Sequence, residues 1–149
     1  MPDALKILLG AGLALAAGIW TQLFVAKQNE LTQRIDELVK LIWEYADLSS
    51  RYWSGEFKKL DHNKTEARMV AMDHFIGSMI SEMAATNGRF QMQGDLDRCL
   101  FNLSDCATGG NFQVKGRPND QLRSADAYTV ASELCLRLRT ERRKLIKLF

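Results

Sequence analysis

The sequence predicts an all-α chain in which an N-terminal single transmembrane helix continues into a soluble helical bundle of about four helices. Three observations predict it. A run of 20 residues without charge, 7–26, stands near the start of the chain. Beyond it, apolar side chains recur at steps of three and four, the spacing of one helix face. No credible period-two pattern occurs except for a few residues around Phe112 and Val114.

The apolar run comes first. At a rise of about 1.5 Å per residue it spans about 30 Å, the thickness of a hydrocarbon core. Lys6 and Lys27 bracket it, and Trp20 and Phe24 lie toward its C-terminal end, where aromatic rings rest at an interface. Gly10, Ala14 and Gly18 recur every four residues, a small-residue row that lets two helix backbones approach. The expected organisation is a membrane anchor over 1–27 and a bundle domain over 28–149. Two rivals exist. A cleavable signal peptide would use Ala14-Leu15-Ala16, yet the run continues past that site through Ile19, Trp20, Leu23, Phe24 and Val25. A buried core helix would normally show a polar face within that length.

Lys27, Arg34 and Lys40 outnumber Lys6 and the amino terminus, which places the C-terminal part in the cytoplasm. The 3 cysteines agree with a reducing compartment. An odd number cannot pair fully, and Cys99 and Cys106 on one helix would lie roughly 10 Å apart, too far to bridge. Two sequons, Asn63-Lys64-Thr65 and Asn102-Leu103-Ser104, leave a lumenal placement open.

The first helix is expected to leave the bilayer unbroken and reach about Tyr52. Leu31, Ile35, Leu38, Ile42 and Tyr45 step by four and three, either a coiled-coil seam or the core face of a bundle helix. Ser54-Gly55 and Asp61-His62-Asn63 read as a turn, and Asn63 with Glu66 as a capping box. The second helix then runs to about Ala85, with a core stripe of Met69, Met72, Ile76, Met79 and Met83, and stops at Asn87-Gly88. A third helix over 94–106 carries Leu96, Cys99, Leu100 and Leu103 on its apolar face. After a loop over 108–120, Asn119 or Asp120 caps a fourth helix with inner face Tyr128, Ala131, Leu134, Cys135 and Leu138.

Chemistry-bearing patterns are few. A net charge of +2 is too small for a nucleic-acid binder acting through bulk charge, and no sequence-specific nucleic-acid partner is expected. His62 and Glu66 are four apart but lack a third ligand, and Asp73-His74 point apart on a helix. No catalytic motif is present, so neither enzymatic activity nor a cofactor nor a metal is expected. The glycine-rich loop 109–118 offers an anion site built from Lys115, Arg117 and Arg123, although it is not a Walker loop and Asp120 would oppose an anion. Residues 134–149 carry Arg137, Arg139, Arg142, Arg143, Lys144 and Lys147 against Glu141 alone. That is +5, while the remainder carries −3. The stretch suits contact with a membrane surface or another polyanion, or simply a solvated face that complements a helix C-terminus. The aromatics Trp43, Tyr45, Tyr52, Trp53 and Phe57 are expected to lock one bundle end.

The function these features imply is that of a membrane-anchored interaction protein. Its partners are the lipid bilayer and further copies of itself, met through Gly10, Ala14 and Gly18 and through Leu31, Ile35 and Leu38. The alternative is a ligand-gated membrane effector, whose bundle senses an anionic small molecule such as a nucleotide and assembles to disturb the bilayer.

Overall fold

Between Gly18 and Gly55 the chain contains no glycine or proline, and it holds a single unbroken helix there. The computed structural model describes residues 3–55, 59–86 and 93–146, with side chains described over 10–55, 63–86 and 94–144. These residues form four helices and no strand: α1 (Asp3–Ser54), α2 (Lys59–Thr86), α3 (Gln93–Thr108) and α4 (Gln121–Ile146). The chain divides into two compact units, Met1–Arg34 and Ile35–Phe149, and α1 runs through both.

In the first unit, every side chain over residues 10–23 is exposed. Leu13, Leu15 and Trp20 keep 70%, 69% and 76% of their surfaces. By length and composition α1 is long and apolar enough to cross a membrane, with a mean hydropathy of 1.2 in its apolar window.

The second unit is an up-down-up-down bundle. Contacts along α1 and α4 pair Asp36 with Arg142, Val39 with Cys135, Asp47 with Tyr128 and Ser50 with Ser124. One series rises as the other falls, so these helices are antiparallel. Tyr45 with Asp73 and Tyr52 with Glu66 set α2 antiparallel to α1, and Asp95 with Arg137 together with Asp105 with Arg123 do the same for α3 and α4. Ile35, Leu38, Ile42 and Tyr45 have no exposed surface, and the seam read from their spacing is the core face of a bundle helix. Ile35 and Leu38 are buried within their own chain. Leu31 is also buried. Met69, Ile76 and Met83 are core residues, as the stripe implied, with Met72 and Met79 at its edge.

Three expectations need correction. α2 begins at Lys59, so Asp61, His62 and Asn63 are helical and Asn63 is not a cap. The reciprocal partner is also occupied, because Glu66 is buried and accepts the Tyr52 hydroxyl at 2.9 Å. α3 starts at Gln93 and ends at Thr108. On α4, Ala127 takes the inner position and Tyr128 lies at the rim, 38% exposed, with its hydroxyl donated to Asp47 at 2.7 Å. The stop at Asn87-Gly88 and the aromatic Phe57 lie outside the described residues.

Two core groups tie stability to alkaline pH. The Tyr45 hydroxyl is buried and donates to Asp73 at 3.2 Å, and burial followed by the Asp73 charge raises its pKa strongly. Burial pushes the Cys135 thiol up to about 11, with Arg139 pulling the other way. Both groups ionise more readily in the unfolded chain, at their ordinary values of 10.0 and 9.0. Their contribution is therefore intact below about pH 9 and drains away as pH rises beyond it. The melting temperature should hold level up to that point and then fall. Cys135→Ala should flatten the decline between about pH 9 and 11. An unchanged slope in that variant would remove the thiol from the account.

Candidate functional site

Helix ends leave backbone groups without intrahelical partners, and those near the loop over 109–120 share one set of side chains. At the C-terminus of α1, the Tyr52 carbonyl accepts from the Arg117 guanidinium and the Trp53 carbonyl accepts from the Asp120 amide at 2.9 Å. The Arg51 carbonyl takes the Gly55 amide at 3.2 Å. At the C-terminus of α3, the Asp105 carbonyl accepts from the Gly109 amide and from Arg123, and the Ala107 carbonyl accepts from the Trp53 indole at 2.9 Å. At the start of α4, the Asp120 carboxylate accepts the Arg123 amide at 2.9 Å, so Asp120 is the N-cap that the sequence offered.

Arg117 and Arg123 thus stand at the negative ends of two helix dipoles. Aromatic rings hold them there. The Arg117 guanidinium carbon lies 3.9 Å from the Tyr52 ring centre and 4.8 Å from that of Trp53. Arg123 lies 5.0 Å from the Trp53 ring. Tyr52 and Trp53 meet edge to face with centres 5.1 Å apart, and Phe112 covers Tyr52 at 5.2 Å. These distances allow cation–π attraction, and Arg117 is almost fully buried.

The loop backbone conforms to this arrangement. Gln113 is left-handed at φ 64°, and its amide donates to the Tyr52 hydroxyl at 3.1 Å. Gly110 at φ 60° passes under Arg123, where a Cβ would stand 2.9 Å from the guanidinium. A side chain there would be strained and would displace the cation. Gly110 makes room for an arginine of the same chain.

The three residues read as an anion cradle therefore sit in different environments. Arg117 is 5% exposed beneath the rings, Arg123 is spread over the end of α3 and lies 3.8 Å from the Asp120 carboxylate, and Lys115 is exposed. Tyr52 is the residue that sequence reading placed too loosely. It joins α1, Glu66 of α2 and the loop through one hydroxyl, and burial is the main cause of its raised pKa. Its signal was membership of the aromatic group before the first turn.

The basic stretch of α4 also divides. Arg137 pairs with Glu133 at 2.8 Å and with Asp95 at 3.4 Å. Arg142 pairs with Asp36 at 2.9 Å, and Lys144 reaches the buried Glu141 at 2.7 Å. Arg139 and Arg143 are exposed one turn apart and meet no carboxylate among the described residues. Lys147 lies outside the described residues.

Among the small residues of the first unit, Gly10 and Gly18 have nothing within 4 Å of where a Cβ would stand, and Ala14 is exposed. The described residues contain no group of three side chains suited to a metal. Comparison of the chain with protein-family models, curated proteins and solved structures finds no match in any of the three.

Proposed function

We propose that the chain is a single-pass membrane-anchored interaction protein whose bundle lies on the cytoplasmic side. One observation carries this reading. The apolar helix over residues 10–23 has no cover from its own chain, with Leu13, Leu15, Ile19, Trp20 and Leu23 each at least 59% exposed. A core helix of a soluble protein buries such side chains, whereas a bilayer covers them without any protein partner. Self-association follows from the open row at Gly10, Ala14 and Gly18, where a second helix can approach backbone to backbone. This route confines self-association to the anchor, since Ile35 and Leu38 are committed to the bundle core.

The test is to fractionate cells expressing the full chain, extract the membranes at alkaline pH, and weigh the retained protein by mass spectrometry. The expected result is retention until detergent is added, with residues 1–27 still attached. Light scattering in detergent should give more than one copy per particle, reduced by Ala14→Leu or Gly18→Leu. A full-length chain that stays monodisperse in plain buffer, or a mature chain trimmed after Ala16, overturns the anchor.

A further inference from the structure

We propose that the outer face of the last turns of α4, centred on Arg139 and Arg143, docks on the anionic headgroups of the bilayer that holds the anchor. The proposal rests on the membrane reading above. Its own evidence is the division of labour among the cations. Arg137, Arg142 and Lys144 each have a carboxylate within 3.4 Å, so each is paired on the surface of the bundle. Arg139 and Arg143 are exposed, fall within one face of the helix, and meet no carboxylate among the described residues.

Leu136 stands on that same face, one turn before Arg139 and two before Arg143, with 65% of its surface exposed. An apolar side chain framed by cations is the composition of a helix face that rests on a headgroup layer. Long arginine side chains reach phosphates while their stems lie along apolar surface.

Location favours lipid over a soluble polyanion. The contact between Asp36 and Arg142 puts the basic turns of α4 at the end of the bundle where α1 enters it. In sequence, Asp36 follows the apolar run over 7–26 by only ten residues. A net charge of +2 for the whole chain gives little general pull on a nucleic acid, so the attraction has to be local. A cytoplasmic leaflet rich in acidic lipid supplies a local field that decays within about 8–10 Å.

The experiment uses the full chain in two kinds of lipid nanodisc, one of phosphatidylcholine and one with a third of it replaced by phosphatidylglycerol. Amide hydrogen exchange is read across residues 136–146. Each cation near an acidic surface shifts a docking equilibrium about fivefold, so the Arg139→Gln/Arg143→Gln pair should lower it by roughly 30-fold. The expected result is slower exchange in the acidic discs alone. That difference should vanish in about 0.5 M salt and in the double variant, and persist in Arg137→Gln. Equal exchange in both discs overturns the proposal while leaving the anchor standing. A chain that enters neither disc overturns the anchor and this proposal with it. Inorganic polyphosphate slowing the same amides in the neutral discs, to the extent that acidic lipid does, replaces lipid by a soluble polyanion.

Discussion

Replacing Trp53 with alanine should lower the stability of the bundle by about 3–5 kcal/mol, the largest effect of any single substitution considered. Trp53 is 2% exposed, and its indole supplies the donor for the Ala107 carbonyl at 2.9 Å. Alanine leaves a ring-sized void and strips that carbonyl of its partner, which accounts for about 1–3 kcal/mol of the loss if water does not enter. Domains of this size are stable by only about 5–15 kcal/mol, so much of the margin disappears. Urea unfolding of the full chain in detergent, followed by circular dichroism, gives the difference. Trp53→Phe separates the two causes, because it keeps most of the ring and removes the donor. Its loss should be about 1–3 kcal/mol. An alanine variant that unfolds at the parent's urea concentration would show that the indole is not a structural keystone.

The second large effect belongs to Arg117. Arg117→Ala should cost about 2–3 kcal/mol, from the hydrogen bond to the Tyr52 carbonyl and the attraction to two rings. Arg117→Lys should recover only part of this, since an ammonium lacks the flat fork that bonds a carbonyl while stacking. Lys115→Ala, two residues away and exposed, should change stability by less than about 0.5 kcal/mol. Thermal melts of the three variants decide between a clamp and an anion site. In a clamp, stability falls in the order Lys115→Ala, Arg117→Lys, Arg117→Ala. In an anion site both alanine variants leave the melt unchanged and lose a ligand together.

Much of the architecture could be read from local pattern. The spacing of Ile35, Leu38, Ile42 and Tyr45 marked an apolar seam, which burial makes a core face rather than a coiled-coil seam, and of the two cap candidates, Asn119 and Asp120, the carboxylate of Asp120 takes the Arg123 amide. The start of α2 could not be read, because the signal at Asn63 and Glu66 was local and the use of Glu66 is tertiary. Its carboxylate answers Tyr52, fourteen residues earlier on another helix. The loop misled for a related reason. Glycines beside cations suggest an anion when the loop is read alone, but the acceptors that occupy Arg117 and Arg123 are main-chain carbonyls of residues 52, 105 and 106. A carbonyl has no side-chain identity, so no sequence motif announces it. Likewise, the six cations of residues 134–149 look equivalent in one dimension. Only the pairing with Asp36, Asp95, Glu133 and Glu141 tells spent charge from available charge.

The antiparallel course of α1 and α4 has a topological consequence. Asp36 and Arg142 touch, so the point where the bundle's chain begins and the point where α4 finishes are neighbours. A few glycines joining Ile146 to Ile35 would close the four helices into a covalent ring at a small entropic cost. Such a cyclised form would dispense with the apolar run and keep every cap at the opposite end, making the bundle independent of lipid.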